Sequence, residues 1–219
     1  MDSMQLLSWA CIVFTVGMFS TGLTDLKKMR ASKSAEDIQF LPFLTTCLNN
    51  LGWLYYGILK MDQTIVLVNV IGAVLQILYI IVYLYYTNQK RLVMSQTLAA
   101  GAVLTCGCFY FTKFLPEGDT RLSQLGLACS VVTVSMYLSP LTDLVQIVRT
   151  GDVKCLSFPL TVATFFTSTS WVLYGLQLND YYLVVPNSPG IFTSLIRLYL
   201  FWRFASVNQR SPAYKPMQI

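Results

Sequence analysis

Apolar residues run in seven long stretches, roughly 6–26, 38–59, 64–86, 93–113, 122–148, 155–177 and 182–204. Short polar breaks such as Lys27-Lys28-Met29-Arg30 and Glu117-Gly118-Asp119 separate them. A hydrocarbon core about 30 Å thick takes about 20 apolar residues of helix, so the pattern predicts seven transmembrane helices. No basic residue precedes the first stretch (Met1-Asp2-Ser3), and its charges follow it. That order marks a retained first helix with its N-terminus outside rather than a cleaved leader. With this orientation eleven Lys and Arg fall on the inner side: Lys27, Lys28, Arg30, Lys33, Lys90, Arg91, Arg149, Lys154, Arg203, Arg210 and Lys215. Only Lys60, Lys113 and Arg121 fall outside. The bias places the C-terminus in the cytosol. The expected setting is a multi-pass protein of the plasma membrane and/or Golgi membrane, with an extracellular or lumenal N-terminus.

Sliding the chain against itself by 118 residues aligns 14–85 with 132–203 without a gap. Thr15-Val16, Met18 and Leu23-Thr24-Asp25-Leu26 recur as Thr133-Val134, Met136 and Leu141-Thr142-Asp143-Leu144. Further on, Phe40, Thr46, Trp53, Tyr56-Gly57, Asp62, Val66, Asn69 and Gly72 recur as Phe158, Thr164, Trp171, Tyr174-Gly175, Asp180, Val184, Asn187 and Gly190. Hydrophobicity alone yields Leu and Val coincidences, but it does not hold Trp, Tyr-Gly, Asp and Asn in one register. Each repeat holds three helices, and span 93–113 has no counterpart. Three crossings reverse direction, and the extra span restores it. The expected fold is an all-α membrane protein of seven helices, two parallel three-helix repeats joined by a linker helix (3+1+3). Its parts are 1–88, the linker 89–121, 122–204, and a flexible cytosolic tail 205–219. Parallel repeats are related by an axis along the membrane normal and place a substrate site at their interface near midplane.

Depth follows from helix rise. Trp53 lies nine residues before Asp62, and Asn69 seven after it, so both should sit ~10–13 Å below the outer turn. Trp171 and Asn187 keep the same intervals from Asp180. Two indoles and two carboxamides therefore meet near the bilayer centre, where an unsatisfied polar group costs several kcal/mol. Interhelical glue and core filling are the plain uses of such residues. A symmetric set of four points instead to a binding cavity. Aromatic faces cover the C–H surface of a polyol, and amides exchange hydrogen bonds with its hydroxyls. No formal counter-charge for a charged substrate is legible at this depth.

Pro42, Pro140 and Pro159 lie toward the cytosolic side of their spans and are the expected hinges, since proline removes a backbone hydrogen bond and permits a bend. Pro186 and Pro189 flank Asn187, where Val68 and Ile71 stand in the first repeat. Asp25 and Asp143 read as helix ends or partners of nearby cations. Arg197, the single basic residue inside a span, reads as snorkelling or internally paired. Gln76 is a further candidate for the cavity wall. Trp9, Tyr83, Tyr85, Tyr86 and Trp202 read as interfacial anchors.

Composition agrees with this picture. Hydrophobic residues make up 55% of the 219 and charged ones 11%, against roughly 25% charged in soluble domains. The net charge of +5 would suit nucleic acid, but its distribution points to a membrane. The chain has no histidine, which excludes imidazole catalysis, His-ligated metal and a His-based pH switch. No cofactor and no metal site is expected. The six cysteines (11, 47, 106, 108, 129 and 155) fall in or beside predicted helices and read as small apolar residues at helix contacts. No Walker A, H-E-x-x-H or G-x-S-x-G motif occurs, so no catalytic residue is assigned and the chain does not read as an enzyme.

The segments Met18-Phe19-Ser20, Gln39-Phe40-Leu41-Pro42-Phe43 and Asn49-Asn50-Leu51-Gly52-Trp53-Leu54-Tyr55-Tyr56-Gly57 resemble the SWEET family of sugar transporters, in its animal branch. So do Met136-Tyr137-Leu138-Ser139-Pro140-Leu141, Ser170-Trp171-Val172-Leu173-Tyr174-Gly175 and Asn187-Ser188-Pro189-Gly190. The resemblance implies a facilitative carrier of mono- or disaccharides working by alternating access, without ATP or an obligatory ion gradient. It implies that Trp53, Asn69, Trp171 and Asn187 line the sugar pocket, and that Tyr56 and Asp180 help close an outer gate. It also implies a homo-oligomer. Gly22 departs from the first-helix proline of many plant members, and Pro159 is offset from their sixth-helix proline. Two alternatives remain. A PQ-loop type proton-coupled amino-acid carrier would need the Pro-Gln pair, absent at Leu41-Pro42-Phe43 and Phe158-Pro159-Leu160, and a deep acid. A non-transporting receptor or assembly factor would need larger loops.

Overall fold

The computed structural model describes residues 2–137, 141, 144, 145, 148, 149 and 157–209, with side chains as far as Phe204; Pro140, Asp143 and Cys155 lie outside the described residues. The helices are α1 (Ser3–Phe19), α2 (Gly22–Ser32), α3 (Leu41–Lys60), α4 (Gln63–Tyr86), α5 (Lys90–Lys113), α6 (Asp119–Met136), α7 (Phe158–Gln177) and α8 (Tyr181–Gln209). Among the described residues there is no strand. α1 and α2 together make the first of seven spans, in three-plus-one-plus-three order. By length and apolarity alone, only Ser3–Ser32, α4 and α5 qualify as membrane-crossing among the described residues. The other helices are more polar because they face one another. In α7 the hydroxyls of Thr161, Thr164 and Thr169 bond back to the carbonyls of Ser157, Leu160 and Phe165 at 2.7–2.9 Å, which satisfies them inside the helix.

In the first repeat α4 packs on both α1 and α3, so the third helix stands between the other two. In the second repeat α8 packs likewise on α6 and α7. Between repeats, α1 packs on α7 and α3 on α6, each first helix against the other repeat's second. α5 rests lightly on α3 and α4 and buries only Val93 and Ala100. Its end is tied to α6 by Arg121, whose Nη2 donates to the carbonyls of Thr112 (3.2 Å) and Leu115 (2.8 Å).

The recurring Trp-x2-Tyr-Gly-x4-Asp pattern is a tight turn built twice. Met61 and Asn179 both take left-handed backbone, φ 59° and 53°, and the next amides, Asp62 and Asp180, bond back to the carbonyls of Gly57 (3.0 Å) and Gly175 (2.8 Å). Glycine is required because a Cβ at Gly57 would stand 2.9 Å from the Ile65 side chain, and one at Gly175 3.0 Å from that of Leu183. Each Asp then caps the following helix: Asp62 Oδ1 accepts from the Ile65 amide and Asp180 Oδ1 from that of Tyr182, both at 3.0 Å. The turns therefore hold both carboxylates rigidly.

Several expectations change. The basic cluster Lys27-Lys28-Met29-Arg30 is no break: it lies within α2, which ends only at Lys33 (φ 53°). The first span is interrupted earlier, at Ser20 and Thr21, whose hydroxyls bond the carbonyls of Val16 and Met18. Gly22 opens α2 against Tyr79, whose ring stands 2.5 Å from where a Cβ would be. Pro42 and Pro159 fall in the first turns of α3 and α7, where a missing N–H breaks no helical bond. They stand at helix starts rather than within the helices, and Pro140 lies outside the described residues. Tyr83 is not an interfacial anchor but is buried, donating to the Ile38 carbonyl at 3.1 Å. Trp9, Tyr85 and Trp202 are exposed, as anchors should be. Cys11, Cys47 and Cys129 are buried at helix contacts, whereas Cys106 and Cys108 are exposed.

Met61 is exposed and left-handed, a conformation that costs a non-glycine residue about 1–2 kcal/mol. Met61→Gly should therefore raise the thermal unfolding midpoint in detergent. Gly22→Ala should lower it, at a cost of about 1–3 kcal/mol from overpacking against Tyr79. Gly101→Ala, with open space around it, should have no destabilising effect and serves as the control.

Candidate functional site

A cavity of about 390 Å³ lies between the repeats, within the range of about 300–1,000 Å³ usual for small-molecule sites. Its wall follows the 118-residue register: Thr15 and Thr133, Met18 and Met136, Thr46 and Thr164, Trp53 and Trp171, Asn69 and Asn187. The four residues singled out from the sequence are thus brought together. Gln76 is buried in α4 but is not on this wall. Asn49, Asn50, Thr167, Ser168 and Arg197 line the cavity as well, and sequence reasoning assigned none of them a role there. Asn49 and Asn50 align with Thr167 and Ser168, so the matching of identical residues passed over them. Of the two readings of Arg197, snorkelling or internal pairing, the structure agrees with the second, since Arg197 engages a protein partner and contributes to the cavity wall.

The indoles are fixed by reciprocal bonds across the repeat interface. Trp53 Nε1 donates to Thr133 Oγ1 at 3.0 Å, and Trp171 Nε1 to Thr15 Oγ1 at 2.9 Å. With each indole's only donor used, the ring faces serve as apolar wall. Tyr56 and Tyr174 hold them edge-on, at 5.3 and 5.7 Å between ring centres. Thr133 carries a further load, donating to Asn49 Oδ1 at 2.8 Å.

The amides are held differently. Asn69 Nδ2 donates to the Ile65 carbonyl, and Asn187 Nδ2 to that of Leu183, both at 2.8 Å. One amide proton is thereby tied to the helix backbone. Among the described residues the amide oxygens have no hydrogen-bond partner and remain available to a ligand. Asn187 sits in a continuous helix that contains Pro186 and Pro189. Pro186 lacks the N–H that would bond the Tyr182 carbonyl, and Ser130 Oγ donates to that carbonyl instead at 2.9 Å. Two further polar atoms of cavity residues, Asn50 Nδ2 and Thr167 Oγ1, are buried without a partner among the described residues.

Beyond the indoles the repeats are tied together. Tyr56 donates to Asp180 Oδ2 at 2.8 Å, and Lys60 pairs with the same oxygen. At the equivalent place Tyr174 donates to Asp62 Oδ2 at 2.9 Å, with Leu178 where the first repeat has Lys60. Both tyrosines and Asp180 are buried. Toward the opposite end, no hydrogen bond among the described residues joins the repeats beyond Thr164 and Met18 (4.0 Å).

A polar-lined cavity between two parallel three-helix bundles, joined by a lone helix and latched at one end, is the architecture of a two-repeat membrane transporter. The model of a family described as "Sugar efflux transporter for intercellular exchange" matches twice, at residues 5–91 and 123–209. "Sugar transporter SWEET1" of Danio rerio is 65% identical over 219 residues, covering 100% of both chains. That of Homo sapiens is 53% identical, covering 94% of both chains. The solved structure of a eukaryotic SWEET transporter superposes with a TM-score of 0.87 at 27% identity, over 93% of this chain and 97% of that one. The chain belongs to the SWEET family of sugar transporters.

The Trp–Thr bonds can be tested by stability. Thr15→Val strands one indole N–H, whereas Thr133→Val strands an indole N–H and the Asn49 oxygen. Each stranded group costs about 1–3 kcal/mol. Both variants should lower the unfolding midpoint in detergent, Thr133→Val by more.

Proposed function

We propose that this protein is a facilitative carrier that equilibrates neutral mono- or disaccharides across a membrane by alternating access. The observation that carries the reading is the wall of the cavity. Two indoles present bare faces because their donors are bonded across the interface, and two carboxamides stand beside them with free oxygens. Flat apolar faces flanked by amides match the amphipathic shape of a sugar ring. Among the described residues no carboxylate lines the cavity, which favours this reading over a proton-coupled amino-acid carrier.

The excess of Lys and Arg at the end opposite Asp62 and Asp180 supports an extracellular or lumenal N-terminus and a cytosolic C-terminus. In that orientation Tyr56, Lys60 and Asp180, with Tyr174 and Asp62, form an outer gate, shut in this conformation. Opening it must break the tyrosine–carboxylate bonds and separate the repeats while the inner end closes. Pro42 and Pro159, at helix starts, would act as hinges by letting α3 and α7 swing from their first turns.

Purified protein in liposomes should equilibrate labelled glucose or another hexose without ATP or a pH gradient. Asn187→Ala and Trp171→Ala, each folded as judged by gel filtration, should reduce counterflow by roughly tenfold or more, the effect of losing one good substrate hydrogen bond or one aromatic face. Unchanged rates in both variants would reject this pocket.

A further inference from the structure

The paired indoles, amides and threonines offer a bound molecule the same groups twice. A sugar turned half a revolution about the axis between the repeats would meet the same walls. The symmetry fails at several positions, Asn49 against Thr167 among them, and at one of them a charge enters the wall. In the first repeat Phe19 and Asn50 converge on the bare backbone of Gly72, each 2.5 Å from where a Cβ would stand. Two turns along the same helix, Tyr79 is wholly buried, its hydroxyl donating to the Phe19 carbonyl at 3.0 Å; it does not reach the cavity wall. In the second repeat the equivalents are Tyr137, Ser168, Gly190 and Arg197. The hydroxyls of Ser168 and Tyr137 crowd Gly190, 2.1 and 2.6 Å from a Cβ position, and Arg197 lines the cavity. One end of the site thus has a sealed aromatic ring on one side. On the other it has a guanidinium in the wall and two hydroxyls at Gly190.

Building on the sugar-carrier reading, we propose that Arg197, with Tyr137 and Ser168, is a specificity determinant that fixes which way round the sugar lies. A guanidinium presents five N–H donors in a planar fork, enough to serve a protein partner and a ligand together. Its parallel N–H groups match two acceptor oxygens side by side, as hydroxyls on neighbouring sugar carbons provide. Hydrogen bonds to a charged group are stronger than neutral ones, so the orientation that places such a pair on Arg197 is preferred. The symmetric residues bind the ring; the asymmetric ones choose its direction.

The test is competition in liposome counterflow between labelled glucose and each of its monodeoxy analogues, for wild type and for Arg197→Met. Wild type should discriminate against at least one analogue by roughly tenfold, the effect of losing a charge-assisted bond. Arg197→Met should weaken glucose by a similar factor and erase that one discrimination while keeping the others. Tyr137→Phe, which copies Phe19 of the first repeat, should reduce the same discrimination severalfold and stands in if Arg197→Met does not fold. A merely structural role predicts that all analogues weaken together. That uniform loss, or unchanged discrimination in folded variants, overturns this inference alone. No sugar counterflow by wild type would overturn the carrier reading beneath it.

Discussion

Polar side chains inside an apolar bundle must find hydrogen-bond partners there, since lipid offers none. This chain meets that constraint across the boundary between its two halves. Trp53 bonds Thr133 while Trp171 bonds Thr15, and Tyr56 bonds Asp180 while Tyr174 bonds Asp62. Neither repeat satisfies its own cavity indoles or the tyrosines beyond them, so the two bundles are held in register by groups that would be costly to separate. The same bonds turn the indole faces toward the cavity.

Such an interface suits a molecule that must come apart in one direction at a time. The tyrosine–carboxylate bonds lie at one end, where the Lys60 side chain is 22% exposed and gives water a route to a broken bond. The tryptophan–threonine bonds lie deeper, beside the cavity, where on the proposed function a solute's hydroxyls would do the same. Alternation between two closures requires that neither set of bonds be irreplaceable.

The two halves are alike in backbone and unlike in chemistry. Tyr83 staples the loop before α3 by bonding the Ile38 carbonyl, with Phe40 packed 5.1 Å from its ring. Its counterpart Phe201 keeps the aromatic contact, to Phe158 at 5.3 Å, but has no hydroxyl to donate. Val68 is matched by Pro186, and Tyr79 by Arg197. Tyr83 thus ties the first repeat's third helix by a hydroxyl that Phe201 lacks, and the second repeat's third helix carries Pro186, Pro189 and Arg197.

The seven spans, the repeat and the meeting of two tryptophans and two asparagines were legible in the sequence. All three depend on spacing along one chain, where hydrophobic runs and a fixed offset carry the information. Those cues were blind to which helix faces which. They picked out Pro42 and Pro159 without showing that both stand in the first turn of a helix, where a missing N–H has no helical partner. They put Tyr83 at the bilayer surface and left Arg197 between snorkelling and internal pairing, because hydropathy records how polar a residue is and not which way its helix is turned. The indole partners lie 80 and 156 residues away, chosen by lateral packing of helices. Only the assembled bundle decides that.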